Sequence, residues 1–445
     1  MKLIQTIKNI WKIEDLRKRL IITFSFIVIY RFGCHVVLPG LNPADLDAMR
    51  KFTSGGLMQL LDMFSGGAFS QASIFALGIM PYITASIVIQ LLGMVVPSFQ
   101  KMQREGESGR MKLNQYTRYL TVIILLVQAP AYLVNLKYQV MQAGGTVDMG
   151  FWPMFYLTIV LTAGAMFIMW LGEKITDKGI GNGISMIILV GIIARFPGAL
   201  VQEFTSRLTT AQGGLVMFLV EIIILFAVTA GAVMLTQGTR KVPVQYAKRI
   251  VGNKQYGGAR QYIPLKVNAA NVMPIIFAQA LMFIPITLAG FGASQNESGF
   301  LASMARTFGN MDGFWYNLVY FILIVAFTYF YTAITVRPTQ MAEEMKKNSG
   351  FIPGIKPGKK TADYLDSIMS RITLPGSLFL GIVAIMPAFA RQFGVNQNFA
   401  QFFGGTSLLI TVGVVLDTLQ QIETHLMMHH YDGLMKSGKV KGRTQ

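Results

Sequence analysis

Residues 63–100 read MFSGGAFSQASIFALGIMPYITASIVIQLLGMVVPSFQ, 38 positions without one charged side chain. As a single helix this run would be about 57 Å long at 1.5 Å per residue, nearly twice the hydrocarbon thickness of a bilayer. Two strings interrupt it, Ser65-Gly66-Gly67 and Gly78-Ile79-Met80-Pro81, and both are helix breakers. The stretch therefore reads as a short apolar segment that enters the membrane and stops, followed by a full transmembrane helix. Non-helical backbone survives at membrane depth only where protein buries it or it lines a water-filled cavity. The expectation is a polytopic protein built around a cavity.

Working outward, the composition agrees. Hydrophobic residues make up 53% of the chain and charged residues 13%, against roughly 25% charged in soluble proteins. About ten apolar stretches reach spanning length, near 20–38, 73–96, 119–136, 153–172, 184–200, 215–236, 270–290, 315–336, 372–390 and 405–428. The connections between them leave no room for a sizeable soluble domain. Six basic residues precede the first span, but Arg31 interrupts the apolar run and no small-x-small cleavage site follows. That pattern reads as an uncleaved signal anchor. The single cysteine, Cys34, excludes an intramolecular disulfide and a cysteine-rich metal site.

Orientation follows from the basic residues. With a cytoplasmic N-terminus, 31 of the 39 Lys and Arg fall on the cytoplasmic segments and 7 on the opposite loops, with Arg31 inside a span. The positive-inside rule then places both termini in the cytoplasm. Part of the net charge of +18 is thus a topology signal.

A loop around Pro197 to Gly214 separates five spans from five. Five is odd, so related halves would be inverted with respect to each other. The second span of each half carries a similar break, Gly78-Ile79-Met80-Pro81 in one and Asn271-Val272-Met273-Pro274 in the other. Interrupted helices at corresponding positions of inverted halves point to a central pathway, although proline is also common in transmembrane helices generally. Intramembrane charges are few: Arg31, Glu221 and Asp417, with Glu173 near a span end. None lies on a proline break, and a solute transporter or proton pump needs ionisable groups near the midplane. An apolar constriction that excludes water fits a pore sealed by packing and opened by its cargo.

Other motif-like strings weaken on inspection. Gly433 to Lys439 has the spacing of a phosphate-binding loop, but Val440 replaces the required Ser or Thr and no strand precedes it. Gly179-Ile180-Gly181-Asn182-Gly183 sits in a short turn between two spans, where tight turning or close helix packing explains it. His425 and His429 lie one helical turn apart and could hold a metal, yet interfacial histidines at a helix end explain them as well. No catalytic motif is present, so the chain reads as neither an enzyme nor a cofactor or metal protein. Two loops, 237–268 and 336–370, each carry about seven basic residues and turn-forming tips, Gly252-Asn253-Lys254 and Pro353-Gly354-Ile355-Lys356-Pro357-Gly358. Contact with anionic headgroups and docking of an acidic or RNA-bearing partner both remain open on these residues alone.

At this point the residues resemble a known family. Met63 to Gln90 looks like the plug and second transmembrane helix of the SecY family, the central subunits of bacterial protein-conducting channels. Glu105-Gly106-Glu107-Ser108-Gly109-Arg110, GIGNGIS at 179–185, Ile263-Pro264-Leu265-Lys266-Val267-Asn268 and FGGTSLLI at 403–410 resemble further motifs of that family, in order along nearly the whole chain. The resemblance implies an all-α polytopic fold of ten transmembrane helices in two inverted five-helix halves, 1–200 and 201–445, around a central pore. Ile79, Ile83, Ile184, Ile188, Ile276 and Ile410 would form the pore ring. A re-entrant plug at about 57–70, with Leu60, Met63, Phe64, Ser65, Gly66, Gly67 and Ala68, would close the outer funnel. Ser86, Gln90 and Asn268 would line a lateral gate.

The resemblance further implies that the basic loops dock the ribosome or the SecA motor ATPase through Lys248, Arg249, Lys254, Lys356, Lys359 and Lys360. Small membrane subunits of the SecE and SecG type, secretory and membrane-protein substrates with signal sequences, and the lipid bilayer complete the implied partners. The implied location is the bacterial cytoplasmic membrane. Lys356 stands where arginine is expected, keeping the charge but losing the planar fork, and Asn253 stands where a second basic residue is usual. Glu221 also departs from the family pattern, and the sequence offers no role for it. An inverted-repeat secondary transporter and a poreless assembly scaffold are the alternative readings.

Overall fold

The computed structural model describes residues 11, 13–41, 62–142, 150–209, 214–246, 249–251, 254–256, 260–270, 272–279, 281–282 and 313–436. Among them, seven helices are long and apolar enough to cross a membrane. The chain forms two compact units, residues 1–199 with 414–445, and residues 200–413.

The first unit holds α1 (Glu14–Gly33), α2 (Met80–Val95), α3 (Pro97–Arg104), α4 (Glu107–Gln142), α5 (Phe151–Lys178) and most of α6 (Gly183–Thr209). The second span begins later than its hydropathy suggests. Residues 65–79 form successive turns rather than helix, and α2 starts at Met80 with Pro81 in its first turn, where a missing N–H costs nothing. From α2 the chain bends by 102° into α3, whose eight residues PSFQKMQR mix apolar and basic side chains. The glycine-rich turn at 179–183 is a packing device. A Cβ on Gly183 would lie 2.0 Å from the carbonyl oxygen of Gly172, so only glycine lets α5 and α6 approach there. The turn is tied down by Thr23 Oγ1, which accepts from Ile180 N–H at 3.1 Å, and by Gln421 Oε1, which accepts from Gly181 N–H at 2.9 Å.

Pro197 does not end the fifth span as the sequence suggests. α6 continues through it to Thr209, so residues 197–209 are helix where a loop was expected. A proline inside a helix costs about 3 kcal/mol, and the contacts of Glu203 and Arg207 described below hold the continuation in place.

The second unit contains α7 (Gly214–Gln237), the strands β1 (Thr239–Tyr246), β2 (Arg249–Val251), β3 (Lys254–Tyr256) and β4 (Arg260–Lys266), then α8 (Phe314–Thr335), α9 (Pro338–Lys347), β5 (Gly350–Phe351) and α10 (Lys359–Gln392). It closes with α11 (Gln397–Ala400), a 3-10 turn (Gln401–Phe403) and the start of α12 (Gly405–Lys436). The seventh span is described only in part, with helical backbone at 273–279 and 281–282. Strands extend the helical fold where the sequence reads only basic loops. β1 pairs antiparallel with β4 in the register Thr239↔Lys266 to Gln245↔Arg260, and with β5 through Gln245↔Phe351 and Tyr246↔Gly350. The two basic loops therefore share one sheet, in the order β4-β1-β5.

Alternation explains this sheet. Val242 and Val244 point inward from β1 and pack with Leu265, Met345, Ile352, Leu365 and Met369, which is the period-2 pattern of a half-buried strand. Leu365 is 1% exposed in that cluster. Leu365→Ala should destabilise it by about 2–5 kcal/mol. Limited trypsin digestion checks this, because cleavage at Lys359 and Lys360 should accelerate while the transmembrane core stays resistant.

Candidate functional site

The candidate site is the segment 62–79 and its seat in the first unit. Leu60 and residues 57–61 lie outside the described residues. Met63, Phe64, Ser65, Gly66, Gly67 and Ala68 are all buried. Residues 62–64 make one helical turn and the rest of the segment runs as turns. Its backbone polar groups are largely satisfied from within. Gly67 N–H donates to Asp62 O at 2.8 Å, Phe69 N–H to Ser65 Oγ at 3.0 Å, and Ser70 N–H to Asp62 Oδ1 at 2.7 Å. The chain leaving α1 adds two bonds: Leu38 N–H donates to Ala72 O and Ile74 N–H to Val36 O, each at 2.9 Å. Such accounting is what irregular backbone at membrane depth requires.

Side chains from three helices then grip the segment. From α1, Tyr30 Oη donates to Ser65 O at 3.2 Å and Arg31 Nη1 to Gly66 O at 2.6 Å. From α4, Tyr132 Oη donates to Phe69 O at 2.9 Å, with the two rings edge to face 4.8 Å apart. From α6, Arg195 forms an ion pair with Asp62. Backbone contact with α6 is equally close. Gly66 has φ +67°, and a Cβ there would lie 2.9 Å from the Cα of Gly191. Glycine is required at Gly66 by conformation and by space.

The six isoleucines expected in a ring divide between the units. Ile79 sits at the N-cap of α2 and Ile188 in α6, both buried, while Ile83 and Ile184 are half-buried. These four belong to the first unit, where Gly78, beside Ile79, packs against Ser65. Ile276 is half-buried and Ile410 buried in the second unit. Of the expected gate residues, Ser86 and Gln90 face each other along α2, with Gln90 Nε2 donating to Ser86 Oγ at 3.3 Å. Asn268, in the second unit, is 3% exposed and its Oδ1 has no hydrogen-bond partner among the described residues.

Of the expected docking residues, Lys248 lies outside the described residues, as does Asn253. Arg249 lies in β2 and Lys254 in β3, a two-stranded hairpin. Lys356, Lys359 and Lys360 are exposed together, on the Pro-Gly turn and the first turn of α10. Thr361 Oγ1 donates to Lys356 O at 2.9 Å, and buried Ile352 anchors the near side of the tip. The tip is a structured projection on a packed base.

The partners of Glu221 are found in the second unit. Arg207 Nη2 donates to Glu221 Oε1 at 2.5 Å and to Gly394 O at 2.9 Å, while Arg207 Nε donates to Glu203 Oε1 at 2.9 Å. Glu203 Oε2 accepts from Asn396 N–H at 2.8 Å. All three side chains are at least nine-tenths buried. One guanidinium thus serves two carboxylates and ties α6, α7 and the turn after α10 together. In sequence Arg207 falls in the loop expected around Pro197 to Gly214. Its i, i+4 spacing from Glu203 was the available signal.

Two substitutions should separate the roles here. Arg207→Gln strands two buried carboxylates and should cost about 3–5 kcal/mol. Glu221→Gln leaves one carboxylate for one guanidinium and should be neutral or stabilising. Thermal unfolding of the purified protein in detergent reads both.

The SecY family model matches residues 73–419. The protein translocase subunit SecY of Streptomyces galbus is 43% identical over 435 residues, covering 96% of this chain and 98% of that protein. A solved structure concerning the plug domain of a SecY protein, which stabilises the closed state of its translocation channel, superposes with a TM-score of 0.59 at 20% identity, over 92% of each chain. Sec61 in a canine ribosome–channel complex superposes with a TM-score of 0.54 at 20% identity, again over 92% of each chain.

Proposed function

This chain belongs to the SecY family, and we propose on that premise that it is the central, pore-forming subunit of a protein translocation channel. It passes unfolded secretory polypeptides across the membrane and releases apolar segments sideways into lipid. No chemical step is required of it. The observation that carries this reading is the segment 62–79, an irregular and largely buried stretch between two membrane helices. An element of that kind blocks a pathway, and its seat is built so that it can be withdrawn as a unit. Ile79, Ile83, Ile184, Ile188, Ile276 and Ile410 supply the apolar ring, a compliant gasket that holds no specific substrate. Residues 1–200 and 201–445 act as the two inverted halves. Ser86, Gln90 and Asn268 line the lateral gate, where the Asn268 amide oxygen, without a hydrogen-bond partner among the described residues, weakens the closed state against an incoming signal sequence.

Location and partners follow in the same reading. The chain is a multi-pass protein of the cytoplasmic membrane with both termini in the cytoplasm, as its basic residues require. The loops 237–268 and 336–370 then share the cytoplasmic side, which their common sheet supports. Lys248, Arg249, Lys254, Lys356, Lys359 and Lys360 dock the ribosome or the SecA motor ATPase, and subunits of the SecE and SecG type complete the channel. Replacing Lys356, Lys359 and Lys360 together with Glu should weaken ribosome binding at least tenfold at low salt. The difference should narrow as salt rises, because exposed charges are screened, and co-sedimentation at several salt concentrations measures it.

The decisive experiment is planar-bilayer conductance of the chain with its small partners, before and after deletion of residues 60–68. A sealed parent and a large, poorly selective conductance in the deletion support the reading. No conductance in either form, with folded protein in the bilayer, overturns it in favour of a poreless scaffold or a secondary transporter.

A further inference from the structure

The contacts that hold residues 62–70 differ in kind. Tyr30, Arg31 and Tyr132 all donate to backbone carbonyls. These acceptors are neutral, and water in the cavity that the segment closes can replace such bonds once it moves. Asp62 and Arg195 are different, because separating them leaves two opposite charges without each other. The Asp62 carboxylate is divided between two tasks. Oδ1 accepts from Ser70 N–H at 2.7 Å and so fixes the internal turn of the segment, while Oδ2 pairs with Arg195 of α6. One side chain therefore makes the segment a unit and fastens that unit to its seat.

The environment sharpens the effect. The Asp62 side chain is 3% exposed and that of Arg195 28%. Arg31 stands beside the pair, bound to Gly66 O. Among the described residues, Asp62 is the acidic group that pairs with this cationic seat. A carboxylate leaving such a site moves away from two guanidiniums, an attraction much stronger at partly buried positions than in water.

We infer that the Asp62–Arg195 ion pair is the latch that sets how often the resting channel opens, with Asp62 and Arg195 acting as positioning residues for the closed segment. This inference rests on the proposal that residues 60–68 close a pore. It assigns the strength of closure to one pair of side chains instead of spreading it over the apolar packing of the segment.

A double-mutant cycle in planar bilayers tests it, with the full chain and its small membrane partners. Asp62→Asn keeps an oxygen for Ser70 N–H and removes only the charge. Arg195→Gln removes the other charge, and Arg195→Lys keeps it. Asp62→Asn and Arg195→Gln should each raise the resting open fraction at least tenfold, while Arg195→Lys should stay near the parent. The double variant should open no more than the more open single, because the shared interaction is already lost. Should Arg195→Gln fail to fold, Asp62→Asn against Arg195→Lys still decides. Singles as tightly sealed as the parent, beside a 60–68 deletion that conducts, overturn the latch and leave the pore intact. Effects that multiply in the double variant overturn it too, since the residues then act independently. A deletion that remains sealed removes the pore reading, and the latch with it.

Discussion

A peptide group in a bilayer has no water to bond with, and the structure depends on that constraint. The described candidate spans obey it by being helical. Residues 62–79 do not, and the consequence is their dense bonding. Asp62, Ser65 and Ser70 bond the segment to itself, the strand-like pairing with residues 36–38 bonds it to its neighbour, α1 and α4 donate side chains to its carbonyls, and α6 pairs Arg195 with Asp62. Buried polar groups left unpaired cost several kcal/mol each, so these bonds hold the segment in its seat.

Much of this was legible in the sequence. An uncharged run too long for one helix, with glycines at two points, requires an interruption, and its place was readable to within a few residues. The turn at 179–183 was readable as a packing device for the same reason, since glycine clusters between short-linked helices leave few other uses. The family motifs were legible because they are contiguous strings. What was not legible was whatever depends on distant partners. Arg31 stood out as an intramembrane charge, but nothing along the chain pairs it with Gly66. Arg195 lies within the apolar stretch 184–200, and nothing along the chain pairs it with Asp62.

The basic loops show the same limit. Their charge and turn residues announced exposed tips, and the tips carrying Lys356, Lys359 and Lys360 are exposed. The shared sheet was hidden because β1 and β5 are brought together by about a hundred intervening residues, and Val242, Val244 and Ile352 look like ordinary loop residues until their common core is seen. Glu221 was opaque for a related reason. Its guanidinium comes from α6, but the backbone that completes the network comes from Gly394 and Asn396, which no local pattern connects to it. Short-range chemistry can be read along a chain, whereas charge compensation across it needs the fold.

The division between apolar and charged contacts then has a physical logic. Dispersion and burial seal well but discriminate poorly, since any hydrophobic segment of similar size can substitute. A ring of isoleucines suits an opening that must admit many sequences for that reason, and it would make a poor fastening for the element that shuts it. An ion pair is the opposite, being strong only with its own partner at its own distance, and its contribution falls off steeply once the desolvated geometry is lost. In the proposed channel, placing charge at the seat of residues 62–70 and keeping it away from the isoleucine positions would let closure be specific while passage stays indifferent. The sequence records that separation in its longest uncharged run, which begins at the residue after Asp62.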